Sequence, residues 1–103
     1  MEQSELKEIL EQHKLWLDGK GGKRADLYNA DLYYAEFRGA NLSGANLEAA
    51  NLTGANLYNA NLTGANLCNA NLTDANLSYA NLTGANLSYA SLTVANLRNA
   101  ILY

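Results

Sequence analysis

From Ala25 to Ala100 every fifth residue is alanine, and two residues after each alanine stands a large apolar residue, with mostly polar residues between. The large positions are Leu27, Leu32, Phe37, Leu42, Leu47, Leu52, Leu57, Leu62, Leu67, Leu72, Leu77, Leu82, Leu87, Leu92, Leu97 and Leu102. An α-helix turns about 100° per residue, so a period of five advances each leucine by roughly 140° and spreads the set around the axis. A flat strand alternates faces, so an odd period sends every second leucine to the opposite side. Neither element gives these residues one environment. A chain that turns a corner every five residues does, and the pattern therefore predicts a solenoid with its leucines and alanines facing the axis.

A second period fixes the shape of each turn. The residue after the leucine is threonine at Thr53, Thr63, Thr73, Thr83 and Thr93, with other residues between, a repeat of ten superimposed on the repeat of five. A three-sided turn would stack threonine on something else. A four-sided turn stacks Thr53, Thr73 and Thr93 on one face and Thr63 and Thr83 on the opposite one, and β-branched residues in register suit adjacent rungs. The next position is Gly or Asn at nine of the fifteen complete repeats, residues that tolerate the positive φ of a type II turn. At Tyr34, Ala49, Asp74, Tyr79, Tyr89 and Val94 a turn without positive φ is expected. Proline is absent throughout, in keeping with a backbone whose amides bond from turn to turn.

The first 24 residues follow another rhythm. Leu6, Ile9, Leu10, His13 and Leu17 fall on one face of a helix predicted over 4–18, with Ser4 as its cap, Trp16 beside the apolar face and Gly19, Gly21 and Gly22 ending it. A solenoid begins with exposed leucines and unpaired edges, and this helix is expected to lie across them. Lys20, Lys23 and Arg24 are placed to bond its last carbonyls. Residues 1–24 are thus read as cap and linker, and 25–103 as the solenoid.

The run Ala-(Asn/Asp)-Leu-x-x from Ala25 to Tyr103 resembles the pentapeptide repeat family. The resemblance implies an all-β solenoid, a right-handed quadrilateral β-helix, here of four coils and sixteen repeats, with the short N-terminal α-helical cap added. Glu36, Ser91 and Ile101 depart from the Asn/Asp position, and Phe37 replaces leucine once.

Composition then narrows the function. A net charge of −3 excludes a polybasic nucleic-acid binder. Met1 to Leu10 is charged and unlike a secretory signal, and no stretch approaches the roughly 20 apolar residues of a membrane span, so a cytoplasmic protein is expected, with no membrane and no direct nucleic-acid contact. With a single histidine, His13, no His pair or triad is available, and the lone Cys68 stands between Glu48 and Ser88 with no base at hand. Gly19 to Arg24 fails as a P-loop, since Leu17 and Arg24 occupy the positions of its first glycine and its Ser/Thr. Asp26, Asp31 and Glu36 face outward on three successive sides, forming a solvated belt rather than a metal site, with Lys23, Arg24 or Arg38 as candidate partners. The Asn-Leu-Ser/Thr sequons, as at Asn41, are a by-product of the repeat. Catalytic residues, cofactors and metals are accordingly not expected.

Two surfaces remain. Arg38, Tyr58 and Arg98 share one face with Ser78, and Arg38 can lie over Tyr58, a candidate partner patch. The chain stops at Ile101-Leu102-Tyr103 without a polar cap, and Leu92, Leu97, Ile101, Leu102 and Tyr103 are a candidate homodimer interface. The resemblance implies end-to-end dimers through the C-terminal coils as well. A non-enzymatic scaffold or protein-interaction module is the expected function, with an unknown protein partner. The alternative implied by the family is a DNA-mimicking binder or inhibitor of DNA gyrase. Four coils at about 4.8 Å span roughly 19 Å, and duplex DNA carries one charge per roughly 1.7 Å. A mimic of that length wants about eleven negative charges, whereas the repeats carry five, Asp26, Asp31, Glu36, Glu48 and Asp74.

Overall fold

The computed structural model describes residues 1–103. One helix, α1, spans Gln3–Leu17. Beyond it the chain pairs only through isolated parallel bridges, each joining a residue to the one twenty further on, from Asp26↔Asn46 and Asp31↔Asn51 to Asn81↔Ile101. Four pentapeptides therefore make each turn, and the twenty-residue register expected from the threonines is the one observed.

Each side of the square is held by three backbone bonds to the next turn and one within its own corner. Leu52 N donates to Asn71 O at 2.7 Å, Gly54 N to Thr73 O at 2.8 Å, and Asn71 N to Ala50 O at 2.9 Å, while Ala55 N closes the corner on Leu52 O at 3.0 Å. Asparagine has a specific part in this. In fourteen of the sixteen repeats its side-chain oxygen, or that of Asp or Glu, accepts the amide two residues on, as Asn61 Oδ1 does from Thr63 N at 3.0 Å. The two without the bond, Ser91 and Ile101, are repeats that lack such a side chain. A short polar side chain bonding its own backbone two residues on is an Asx turn, which is why this position prefers Asn. Four of the five threonines bond to the same acceptor, Thr63 Oγ1 donating to Asn61 Oδ1 at 2.6 Å, while Thr93 pairs with Ser91.

The core is a filled column. Leu27 through Leu82, with Phe37, are at most 2% exposed, and the alanines from Ala45 to Ala80 at most 1%. Burial then fades: Leu87, Leu92 and Leu97 are only partly covered and Leu102 is 56% exposed. The large side chains of the first turn show no such fading, although it too has a neighbour on one side only and its Ala30, Ala35 and Ala40 are partly covered. The difference is α1, whose Leu6, Ile9 and Leu10 pack against the core.

Two local expectations are corrected. Ser4 does not cap α1: the helix begins at Gln3, its N-cap is Glu2 at φ −72°, ψ 148°, and no side chain caps it. Ahead of the helix the Met1 ammonium donates to Asp31 O at 3.1 Å. At the C-terminus the linker's backbone amides, not its basic side chains, reach the helix, Lys20 N to Leu15 O at 2.9 Å and Lys23 N to Gln12 O at 3.2 Å.

The larger correction concerns the corners. All fifteen adopt positive φ, including Tyr34 at 57°, Ala49 at 60°, Asp74 at 61°, Tyr79 and Tyr89 at 62° and Val94 at 59°. Only the third corner residue is positive, the pattern of a type II turn. Backbone bonding to the adjacent turn is the reason. Tyr34 N donates to Thr53 O and Ala49 N to Cys68 O, both at 2.9 Å. In the last turn, where the corner amides have no acceptor, Ser88 O and Thr93 O still receive Asn69 N and Asp74 N, so every corner is tied to at least one neighbouring turn. Backbone pairing in adjacent turns thus overrides side-chain preference. A β-branched residue is the worst tenant of that conformation. Val94 is 76% exposed and contributes little burial, so Val94→Gly should raise stability by about 0.5–1 kcal/mol, the relief of left-handed strain less the added chain entropy of glycine. A urea midpoint that stays put or falls would show that the corner is not strained.

Candidate functional site

The geometry that departs from the repeat gathers at the two ends of the column. At the first turn the backbone lacks the partners that a preceding turn would supply. In every later turn the alanine N–H donates to the leucine carbonyl three residues back, and the carbonyl after the leucine accepts a corner amide from the turn before. Ala25 and Ser43 have neither partner. His13 replaces both: Ala25 N donates to its Nδ1 at 2.9 Å, and its Nε2 lies 2.9 Å from Ser43 O. Accepting at Nδ1 fixes the tautomer, so Nε2 carries the hydrogen and donates. One imidazole thus does the work of a peptide group on two sides of the square.

His13 is fully buried. Burial lowers its pKa below the ordinary value, Arg24 lowers it further, and the bond to Ser43 opposes them. Trp16 stacks on the ring at 5.3 Å and 26°. Arg24 donates to Gly44 O at 3.4 Å.

Beside this anchor α1 stands away from the second and third sides of the first turn and leaves a groove of about 870 Å³. Leu6, Leu10, Leu32 and Ala35 line its apolar part, Tyr33 and Tyr34 stand on the coil wall, and Lys7, Lys14, Glu11, Asp31 and Glu36 supply charges of both signs. Tyr33 and Tyr34 meet edge to face at 4.2 Å. The Tyr33 phenol is pushed above its ordinary pKa, chiefly by the Tyr34 hydroxyl and further by the Asp74 carboxylate. Sequence periodicity did not find this groove; the signal available was the pair of adjacent tyrosines opposite the Leu6–Leu10 face.

The acidic belt is occupied by the repeat itself rather than by basic partners. Asp26 Oδ1 accepts from Tyr28 N and Asn46 Nδ2, Glu36 Oε1 from Arg38 N and Asn56 Nδ2, and Asp31 Oδ1 from Tyr33 N. No three His, Cys, Asp or Glu side chains converge to hold a metal. Cys68 is half-buried and its nearest polar partner is Asn69 Nδ2 at 3.5 Å. On the candidate partner face Arg38 lies 4.9 Å over Tyr58, and Tyr58 meets Tyr79 edge to face at 5.7 Å. Arg98 stands apart from that pair, two turns further along the axis, with its backbone amide on Asn96.

At the opposite end Leu102, Ile101 and Tyr103 are 56%, 42% and 92% exposed. The amides of Leu87, Leu92 and Leu97, whose counterparts elsewhere donate to the next turn, have no backbone acceptor there, and the carbonyls of Ala85, Ala90, Ala95 and Ala100 have no donor. The last turn thus presents an apolar face ringed by an open hydrogen-bonding edge. No helix of the chain is long and apolar enough to cross a membrane.

A family model described as pentapeptide repeats matches residues 23–48, 50–88 and 75–103, in eight copies. Among solved structures the chain is similar to HetL, a pentapeptide repeat protein involved in heterocyst differentiation regulation from the cyanobacterium Nostoc sp. strain PCC 7120. The identity is 37%, the TM-score 0.51, and the match covers 78% of this chain and 46% of HetL. It is also similar to alr5209, a pentapeptide repeat protein of Nostoc PCC 7120, at 34% identity and TM-score 0.47 over 82% of this chain and 71% of that one. QnrB1, a plasmid-mediated fluoroquinolone resistance protein, is similar at 22% identity and TM-score 0.47 over 78% of this chain and 51% of its own. The chain therefore spans about half the length of HetL and of QnrB1. No curated protein is a significant match in sequence.

Proposed function

The chain belongs to the pentapeptide repeat family, whose fold is a right-handed quadrilateral β-helix, and on that premise we propose that it is a non-enzymatic interaction module, wound as four coils and pairing with a second copy through its C-terminal coil. The observation that carries the reading is the last turn: an apolar face formed by Leu92, Leu97, Ile101 and Leu102 within a ring of unpaired amides and carbonyls. Such an edge is completed by another edge of the same kind, and a two-fold axis lets each copy present both donors and acceptors to the other. The opposite end is closed by α1, so pairing stops at two copies instead of running on as a fibre. The cytoplasmic setting, with a reduced Cys68, belongs to the same proposal.

The lateral faces support the same class. Their asparagine oxygens are engaged with their own backbone and four of the threonine hydroxyls with those asparagines, which leaves shape and the aromatic patches, Arg38 over Tyr58 above all, for an unidentified protein partner. The gyrase-directed alternative gains nothing from the faces: its five carboxylates are dispersed over the sides, and the charged oxygens of Asp26 and Glu36 are already bonded to asparagine amides.

Light scattering on the chain and on Leu102→Lys tests the pairing. A dimer that becomes a monomer at micromolar concentration is expected, because the substitution sets two like charges near the axis of an apolar interface, at a cost of several kcal/mol. A monomer in both samples would sink the pairing and direct the search for a partner to that end.

A further inference from the structure

We propose that His13 is an acid-sensitive latch, and that a second proton on its ring releases α1 from the first turn of the coil. The geometry leaves the charged form no place. Nδ1 is the acceptor for Ala25 N–H at 2.9 Å, so protonating it sets two N–H groups against each other, while Nε2–H is already committed to Ser43 O. The ring is fully buried, so water does not reach it to solvate the charge. The group facing it from the linker is the cation Arg24, held at Gly44 O. From α1 it faces the Trp16 indole, and from the coil only the Ser43 carbonyl and Ala25 amide. The first-turn carboxylates of Asp26, Asp31 and Glu36 are bonded to backbone amides, and two of them to asparagine side chains as well. No acid offsets the incoming proton.

The direction in pH follows from linkage. The native ring is held neutral, and its folded pKa lies below the unfolded value of about 6.5. The latch is therefore at full strength above that value and weakens as pH falls from it towards the folded pKa. Release uncovers Leu27, Leu32, Phe37 and Leu42, now at most 2% exposed, and frees the first turn's edge. The solenoid itself contains no histidine and is untouched by this titration. The cap alone responds.

The test follows three signals on the intact chain from pH 8 to pH 4: the imidazole resonances of the single histidine, the fluorescence of the single tryptophan stacked on it, and amide exchange corrected for its intrinsic pH dependence. His13 should titrate below 6.5. Protection of Ala25 and of α1 should fall by about tenfold per pH unit in the same window, while Leu62 and Leu67 keep theirs. In His13→Gln, whose amide can donate and accept but does not titrate, the cap should stay protected to pH 4. Release of the His13→Gln cap at the same pH as the parent would overturn the proposal and shift the cause to the carboxylates. If that variant is already loose at pH 8, the parent decides: a His13 that titrates at 6.5 or above, with α1 exchange unchanged, equally overturns it.

Discussion

Leu62→Ala should lower stability by about 2–5 kcal/mol, the range for emptying a core leucine site. Leu62 is fully buried, stacked between Leu42 one turn below and Leu82 one turn above in a column where every site holds the same residue. A globular core softens such a loss by letting neighbours move in. Here they cannot, because Leu62 N is tied to Asn81 O at 2.7 Å and Leu42 N to Asn61 O at 2.7 Å, and shifting one rung drags the ladder on both sides. The cost should therefore lie in the upper part of the range. Leu102 occupies the same column one turn beyond Leu82 but is 56% exposed, so Leu102→Ala, measured below the concentration of association, should cost under about 1 kcal/mol. Thr63→Ser keeps the hydroxyl bond to Asn61 Oδ1 and should be nearly silent. Urea denaturation of the three variants checks the ordering, and a Leu62→Ala midpoint equal to that of Thr63→Ser would refute the inward placement of the leucines.

That ordering was legible in the sequence because the repeat is long and the side-chain period admits one geometry. The twenty-residue register followed from the threonines alone, and the bridges fall where they required. Other features were hidden for identifiable reasons. The corners at Tyr34 and Val94 depart from expectation because local preference predicts local conformation only when nothing stronger acts, and here every corner is bonded through its backbone to at least one neighbouring turn. The partial burial of Leu92 and Leu97, by contrast, agrees with the uncapped last turn expected from the sequence, although those repeats match the ones before them. His13 could be placed on the apolar face of α1 by spacing. That it supplies both a donor and an acceptor to Ala25 and Ser43 depends on how the helix crosses the square, and so does the groove between Leu10 and Tyr34.

The position of α1 depends on one further residue that spacing could only call a helix stop. Gly22 has φ +74°, and a Cβ there would lie 2.3 Å from Gln12 O, 2.6 Å from Leu15 Cβ and 2.9 Å from Trp16 N. Two of these three are backbone atoms of the last turns of α1, so no side-chain rotation relieves the clash. The neighbouring bond from Lys23 N to Gln12 O holds the linker against the helix at this place. Gly22→Ala must therefore push the linker off α1, adding left-handed strain of about 1–3 kcal/mol to the steric cost. The loss should be selective. Trp16 fluorescence and the amides of α1 and Ala25 should report an undocked cap, while the coil's central amides stay protected. Gly21 makes the control: its φ is +81° but nothing lies within 4 Å of its added Cβ, so Gly21→Ala carries the strain without the collision and should leave α1 in place. Equal behaviour of the two variants would mean that the turn's conformation, and not the close approach of Gly22 to Gln12, positions the cap. If Gly22→Ala undocks α1 at neutral pH, the uncovered first turn joins the open last turn, and a chain that pairs end to end should then grow past two copies, which sedimentation of Gly22→Ala beside the parent would reveal.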